Sequence, residues 1–344
     1  STSDTLTSLS LTEGSTYYLS VRATDEAGNV SAVSTADGIT IDLTAPTGTT
    51  VRDGTGDDIS YTGSDSTLSA IWPGFTETVS GISKYEYAIG TSSGGTNVVT
   101  WTSNSTDTTV TKTGLSLTSG STYYLSVRAT DNVGNVSSTV TSDGVIVDTA
   151  APSTGSVTDS SSTDQDWTKN TSSLTASWSG FSDGLSGIAK YEYAIGTSSG
   201  GTNVVSWTNN STATTLTKTG LTLTNGTTYY VSVRATDNVG NVSLISTSDG
   251  ITVDTDVPVI SSVLEGAVSG DDVDYQNITD SLIISWSGSD AASGIKSYEY
   301  ALGTTSGGTQ TVSWTSNGTS TSDTLTSLSL TEGSTYYLSV RATD

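Results

Sequence analysis

The sequence of 344 residues carries 35 acidic and 11 basic residues, a net charge of -24 at pH 7, and neither cysteine nor histidine. The missing thiols and imidazoles exclude disulfides, thiolate metal sites and the commonest general base, and the scarcity of lysine and arginine argues against nucleic acid as a partner. No run of about twenty apolar residues is present, so no membrane span is predicted in this stretch.

A segment of the form STYYLSVRATD recurs along the chain and sets the length of the repeat. Its arginines stand 106, 106 and 107 residues apart, at Arg22, Arg128, Arg234 and Arg341. Because about 100 residues is the size of a complete domain, we expect each repeat to fold around its own core. The sequence therefore predicts a string of similar domains.

The first complete repeat has the pattern of a series of short strands. In segment 123–129, tyrosine, leucine, valine and alanine alternate with tyrosine, serine and arginine, which is typical of a half-buried strand. The predicted strands of this repeat are 68–72, 85–89, 98–101, 110–117, 123–129 and 145–147. No stretch has helical periodicity, so we predict an all-β fold. Because tryptophan has a large apolar surface, the expected core anchors are Trp72, Trp178 and Trp286, one on the second strand of each repeat.

These residues resemble the fibronectin type III family over nearly the whole chain. Leu117 stands six residues before Tyr123, as in that family's tyrosine corner, while Trp72 and Tyr85 match its second-strand tryptophan and third-strand tyrosine. The family's usual proline before the corner tyrosine is replaced here by Ser119. The resemblance, to tandem repeats of a large bacterial surface protein of the adhesin type, implies fibronectin type III-like, Ig-like β-sandwich domains arranged as an extended rod.

Proline marks the predicted domain boundaries, since Pro46, Pro152 and Pro258 each open a new first strand. Residues 1–44 are predicted to be the C-terminal part of a preceding repeat, namely its last strands. Residues 45–149 and 150–255 are predicted to be complete type III-like repeats, and residues 256–344 a repeat that lacks its last strand. The linkers are a few residues long and contain proline, which restricts bending.

Acidic and amide side chains recur at the ends of the predicted domains. The resemblance places the second-to-third and sixth-to-seventh strand loops at the pole facing the preceding domain, so that Asp148 would meet Asp183 and the loop at 237–238. Calcium binds six to eight oxygens of such groups, and an ion there would stiffen the joint. The candidate calcium ligands are Asp42, Asp131, Asn132, Asp148, Asp183, Asp237, Asn238, Asp254 and Asp290. None has the spacing of an EF-hand, and the alternative is that these residues form Asx-turns in well-solvated loops. No other cofactor is expected.

A second acidic group lies in the predicted first-to-second strand loop of each repeat. These residues are interpreted either as ligands of a cation or as residues that form turns. Its members are Asp53, Asp57 and Asp58; Asp159, Asp164 and Asp166; and Asp271, Asp272 and Asp274.

The remaining polar and aromatic patterns favour structural roles. Glu86 is expected to pair with Arg128 on a neighbouring strand of the same sheet. Outward aromatic residues such as Tyr124 and Trp101 could stack on sugars, although aromatic rows on a sheet more often pack across strands. A catalytic carboxylate pair repeated in every domain would be unusual. No catalytic residue and no enzymatic activity are therefore predicted.

The sequence thus predicts a non-catalytic spacer, stalk or fibre-forming region of a secreted, adhesin-like protein at the cell surface, which supplies reach and stiffness. The expected partners are neighbouring repeats of the same chain, with lateral self-association into a fibre and binding of surface or matrix glycans as further hypotheses. Two alternatives stay open. One is a repeated glycan- or matrix-binding module, and the other is a set of accessory domains of a secreted polysaccharide-degrading enzyme.

Overall fold

All regular structure in the described part of the chain is β-strand. The computed structural model describes residues 2–266 and 269–344, and no helix occurs among them. The predicted all-β fold is therefore confirmed. Within the same ranges no helix has the length and apolar character needed to cross a membrane.

Four strands of two residues each precede residue 45. They are β1 (Thr16–Tyr17), β2 (Ser20–Val21), β3 (Ser34–Thr35) and β4 (Ile39–Thr40). The next nine strands are β5 (Arg52–Asp53), β6 (Tyr61–Thr62), β7 (Thr67–Ile71), β8 (Ile82–Gly90), β9 (Val99–Ser103), β10 (Thr109–Thr113), β11 (Thr122–Asp131), β12 (Val140–Thr141) and β13 (Val145–Val147).

The same succession returns one repeat later. Its strands are β14 (Ser156–Thr158), β15 (Trp167–Thr168), β16 (Ser173–Ser179), β17 (Ile188–Gly196), β18 (Val205–Asn209), β19 (Thr215–Thr219), β20 (Thr228–Asp237), β21 (Ser246–Thr247) and β22 (Ile251–Val253). The last six are β23 (Val259–Gly266), β24 (Ser281–Ser289), β25 (Ser297–Gly303), β26 (Val312–Ser316), β27 (Ser322–Thr326) and β28 (Tyr337–Thr343).

The six strands predicted for the first complete repeat correspond to β7, β8, β9, β10, β11 and β13. The fourth is shorter than predicted, because β10 ends at Thr113. Gly114 follows with a φ of 70°, a conformation that glycine adopts without steric cost and that ends the extended segment.

Chain contacts divide the protein into two compact units. The first comprises Ser1–Pro152, Asp183–Ile188 and Thr236–Val242, and the second comprises Ser153–Ser182, Ala189–Ala235 and Ser243–Asp344. The predicted domain limits at residues 45, 150 and 256, and the extended rod, stay predictions.

The first unit contains a two-layered sandwich. One sheet has the strand order β10-β7-β5, and the other has the order β6-β13-β11-β8-β9, with β12 also paired to β11. The neighbours are antiparallel except β6 and β13, which are parallel. One layer thus contains β5, β7 and β10, and the β-sandwich implied by the resemblance is present.

A buried tryptophan joins the two layers. Trp72 is fully buried next to β7, and its ring lies 5.9 Å from that of Tyr85 on β8 in an edge-to-face arrangement. Leu125 and Val127 on β11 are also fully buried against it. Burying one indole yields roughly 4–6 kcal/mol before conformational entropy is subtracted. The expected role of Trp72 as a core anchor is supported by this packing.

The second unit repeats the pattern twice. Its sheets have the orders β14-β16-β19 and β15-β22-β20-β17-β18, with β21 paired to β20, followed by β23-β24-β27 and β26-β25-β28. Trp178 and Trp286 are each 4% exposed and pack against Tyr191 and Tyr298 at 5.8 Å between ring centroids.

A tyrosine hydroxyl closes the turn before the sixth main strand. The Thr118 amide donates to the Tyr123 hydroxyl at 2.9 Å. The equivalent bonds join Thr224 to Tyr229 and Thr331 to Tyr336, each at 2.9 Å. The hydroxyl thereby satisfies a backbone donor in the turn.

We expect Tyr123→Phe and Tyr229→Phe each to lower the free energy of unfolding by about 1–2 kcal/mol, because the ring is kept while a half-buried amide loses its acceptor. The change in the free energy of unfolding is measured by urea titration, with tryptophan fluorescence as the signal. The control is Tyr124→Phe, whose ring lies against Gly144 and is also retained. Equal losses in the control and the corner variants would contradict a specific role of the hydroxyl.

Candidate functional site at the repeat junctions

The loop after β11 is organised by one carboxylate. Asp131 Oδ1 accepts the amides of Val133, Gly134 and Asn135 at 3.0, 2.7 and 2.8 Å, and its Oδ2 accepts Asn135 Nδ2 at 2.7 Å. Gly134 has a φ of 101°, which explains the glycine at this point of the turn. Burial alone would raise the pKa of Asp131, but the hydrogen bonds from Asn135, Val133 and Gly134 hold it below its ordinary value.

The equivalent loop after β20 has the same geometry and reaches a preceding segment of the chain. Asp237 Oδ1 accepts the amides of residues 239, 240 and 241 at 3.0, 2.7 and 2.8 Å. Asn241 Nδ2 donates to Asp237 Oδ2 at 2.8 Å, to the Asp148 carbonyl at 3.0 Å and to the Ala150 carbonyl at 3.2 Å. The amide of Asn241 thereby links this loop to the segment that follows β13.

The carboxylate of Asp148 makes the second link. Asp148 is fully buried, and its Oδ1 accepts the Ala150 amide while its Oδ2 accepts the Ser186 amide, both at 3.1 Å. Asp42 binds the Thr44 and Ser80 amides in the same way at 3.2 Å, and Asp254 binds those of Asp256 and Ser293 at 3.1 and 3.0 Å. The side-chain and backbone hydrogen bonds from Ser293 lower the pKa of Asp254. These aspartates therefore act as acceptors for loop amides.

The structure brings the predicted carboxylates together in three places. In each group, one carboxylate oxygen of every member lies within 4.8 Å of the others. The groups are Asp148, Asp183 and Asp237; Asp42, Glu77 and Asp131; and Asp254, Asp290 and Asp344. We call them the junction clusters.

Two members of the junction clusters were not among the predicted ligands. Glu77 stands one repeat before Asp183, and Asp344 stands one repeat after Asp237. The repeat step of 106 or 107 residues was therefore a signal that could have identified both. The predicted ligands Asn132 and Asn238 lie beside the clusters, and each donates Nδ2 at 2.7 Å to a loop carbonyl, that of Ser80 or Ser186.

The junction clusters are held by hydrogen bonds from backbone amides. Three carboxylates at this spacing repel one another by about 1 kcal/mol per pair in water and by more where water is excluded, and a cation would remove this repulsion. Calcium at these clusters stays a prediction.

The outer surface of the sheet that contains β8, β9 and β11 carries a repeated ion pair. Arg128 Nε donates to Glu86 Oε2 at 3.1 Å, and the guanidinium carbon lies 4.4 Å from the centre of the Trp101 ring. The predicted pairing of Glu86 with Arg128 is thus present. The same arrangement recurs at Arg234, Glu192 and Trp207, and at Arg341, Glu299 and Trp314. Because the guanidinium covers one face of each indole, that face is not open for stacking on a sugar.

Comparison with known proteins gives one curated relative. No protein-family model matches the sequence. Exoglucanase B of Cellulomonas fimi is 36% identical over 253 residues, which cover 70% of this chain and 20% of that protein. The chain therefore spans about a fifth of the length of this relative.

Three solved structures to which the chain is similar have low sequence identity to it. The FN1–FN3 domains of chicken CNTN1 are 16% identical, with a TM-score of 0.30 and coverage of 87% of this chain and 91% of that one. Fibronectin(III)-like modules of Clostridium thermocellum CbhA are 16% identical, with a TM-score of 0.33 and coverage of 60% and 94%. Domains from titin are 17% identical, with a TM-score of 0.39 and coverage of 70% and 75%.

We expect Asn241→Ala to lower the free energy of unfolding by about 1–3 kcal/mol, because the carbonyls of Asp148 and Ala150 and the Asp237 carboxylate all lose a donor. Thermal and urea unfolding measure the effect. Asn277→Ala, at an exposed position, is the control and should change stability by less than about 0.5 kcal/mol. Equal stability of the two variants would show that this link contributes nothing measurable.

The lowered pKa of Asp131 predicts an acid-sensitive loop. A carboxylate with a folded-state pKa below its unfolded value of 3.8 stabilises the fold above that pH and loses this contribution as the pH falls through the folded value. In metal-free buffer, Tm should therefore fall more steeply below pH 4 in the wild type than in Asp131→Asn. Parallel Tm curves from pH 7 to pH 2.5 would refute this assignment.

Proposed function

We propose that this chain is a non-catalytic spacer of tandem type III-like domains within a secreted polysaccharide-degrading enzyme. The observation that carries the proposal is the 36% identity to Exoglucanase B over 253 residues, a length that exceeds two of the repeats. The similarity therefore extends across successive domains of the array, which is expected if the array itself is shared between the two proteins.

The arrangement of the charged side chains supports a structural role. Asp131, Asp148 and Asp237 direct their oxygens at loop amides, so these carboxylates are engaged as acceptors and are not aimed at an open cleft. Arg128 on the sheet surface is likewise engaged, by Glu86 and Trp101. Side chains that satisfy one another in this way stabilise a sandwich but do not form an acid and base pair for glycoside hydrolysis.

A location outside the cell is part of the same proposal, because insoluble polysaccharides cannot enter an intact cell. The adhesin-like stalk predicted from the sequence and the enzyme spacer proposed here share one structural property. In both, a series of independently folded domains increases the distance between the parts that it connects. The exoglucanase relative favours the enzyme over the adhesin as the setting for that property.

We expect the purified chain to release no reducing sugar from cellulose or soluble glucans and to show no saturable binding to them. A cellulose pull-down and a reducing-sugar assay test this.

In the full protein, replacing these residues with a short flexible linker should lower the hydrolysis of insoluble cellulose and leave that of soluble oligosaccharides unchanged, because only the insoluble substrate requires reach.

Saturable binding by the isolated chain would contradict the spacer role. If that binding disappears in the variant Trp101→Ala, Trp207→Ala, Trp314→Ala, the repeats are glycan-binding modules. Sugar release by the isolated chain would show instead that the repeats are catalytic.

A further inference from the structure

A buried aspartate that belongs to none of the junction clusters joins the two layers of the first sandwich. Asp53 lies on β5 and is fully buried. Its Oδ2 accepts the amide of Gly144 at 3.1 Å, just before β13 in the opposite sheet. The Asp53 amide donates to Asp58 Oδ1 at 2.7 Å, which closes the following loop back onto this aspartate. Asp53 is therefore tied both to its own loop and to the other layer.

Two exposed carboxylates approach this buried one. One oxygen each of Asp53, Asp58 and Asp143 lie within 4.8 Å of one another. The same distances hold for Asp159, Asp164 and Asp249, each 106 residues further along the chain. We call these groups the first and second loop clusters.

The second loop cluster reproduces the bonds of the first. The Asp159 amide donates to Asp164 Oδ1 at 2.9 Å, and Gly250 donates to Asp159 Oδ2 at 2.9 Å. Asp159 is 1% exposed. The two clusters lie in separate compact units and share these contacts, so the same geometry occurs in two of the repeats.

The buried carboxylate of each loop cluster has an oxygen that nothing in the described residues satisfies. Asp53 Oδ1 and Asp159 Oδ1 are buried and have no hydrogen-bond partner. Burial raises the pKa of Asp53 to about 6, the charges of Asp58 and Asp143 add to the rise, and Ser142 and Gly144 offset part of it. The pKa of Asp159 is raised to about 6 by the same causes. A buried anionic oxygen without a donor, beside two further carboxylates, calls for a positive partner.

We propose that the first and second loop clusters each bind one calcium ion, which fastens the first strand of the sandwich to the segment before its last strand. Oxygens bound to one calcium at 2.3–2.6 Å can be no more than about 5 Å apart, and the spacing within each loop cluster meets this limit. In each loop cluster the ion would bridge the two layers beside a hydrogen bond that already links them. That bond is donated by Gly144 in the first cluster and by Gly250 in the second.

The ligand chemistry favours calcium over other divalent ions. The three donors of each loop cluster are carboxylates from a strand end, a loop and a second, distant loop, and calcium tolerates such irregular sets. Magnesium requires near-ideal octahedral geometry at 2.0–2.1 Å and gives up its water reluctantly. Zinc prefers the nitrogen and sulfur ligands of histidine and cysteine, which the sequence lacks.

Calorimetric titration of the EDTA-treated, dialysed chain with calcium chloride tests the proposal. Asp143→Asn combined with Asp249→Asn removes one charged ligand from each loop cluster at exposed positions, so the hydrogen bonds of Asp53 and Asp159 remain. The control is Asp107→Asn combined with Asp280→Asn, which removes equal charge from exposed positions outside every cluster. The wild type and the control should bind two more calcium ions than the loop-cluster variant, whose Kd at these sites should rise about tenfold or more.

A second double variant shows whether a loss of calcium binding comes from the removed ligand or from misfolding. Asp58→Asn combined with Asp164→Asn keeps an oxygen that accepts the amides of Asp53 and Asp159, and it should show the same loss of calcium binding. Saturating calcium should also raise the Tm of the wild type and the control, and raise it less in both loop-cluster variants.

Three results would overturn the proposal. One is a wild-type chain that binds no calcium at millimolar concentration, and another is equal stoichiometry and Kd in the wild type and the loop-cluster variants. The third is magnesium binding with the same Kd, which would remove the assignment to calcium.

Discussion

The protein depends on the burial of one indole between two layers of strands in every complete repeat. Trp72 packs edge to face on Tyr85 of the opposite sheet, and it has the largest side chain in the buried core of the first sandwich. A repeat of about 106 residues closes around it with a small core. Such a core leaves little surplus stability, so the strand ends and loops must satisfy their own polar groups.

Aspartate satisfies many of these polar groups in the loops. The loops contain many backbone amides without strand partners, and a carboxylate can accept two or three of them at once, as Asp131 does. The strongly negative charge of the chain follows from this use of one residue type, since few lysines and arginines offset it. The arginines that occur on the sheet surface, such as Arg128, are held by a glutamate and an indole on adjacent strands.

The sequence predicts well what depends on local alternation and on the repeat step. The strands around Trp72, Tyr85 and Tyr123 are short, alternate in polarity and recur, and the structure has them in the predicted places. The meeting of Asp148, Asp183 and Asp237 was also predictable, because the type III-like order brings those loops to one pole.

Contacts between residues far apart in the sequence depend on how the strands pair, and local sequence patterns do not specify that pairing. Asp143 reaches Asp53 across 90 residues only because the segment before β13 lies beside β5, and no spacing rule connects the two positions. The parallel pairing of β6 with β13 is of the same kind. Glu77 was not predicted for a different reason, since a longer carboxylate stands there at the position that Asp183 occupies one repeat later.

The junction and loop clusters show that the same residue type has opposite energetics in two environments. At Asp131 and Asp254 in the junction clusters, hydrogen bonds outweigh burial and lower the pKa, so the ionised form of these two carboxylates is favoured. In the loop clusters, burial outweighs the opposing effects of a serine side chain and a glycine amide and raises the pKa of Asp53 and Asp159, so the ionised form is costly. A fold built only for stability would place an amide or an apolar side chain at Asp53. In both units the buried carboxylate has one oxygen without a hydrogen-bond partner and two acidic neighbours, which is the pattern expected when a bound cation is part of the fold.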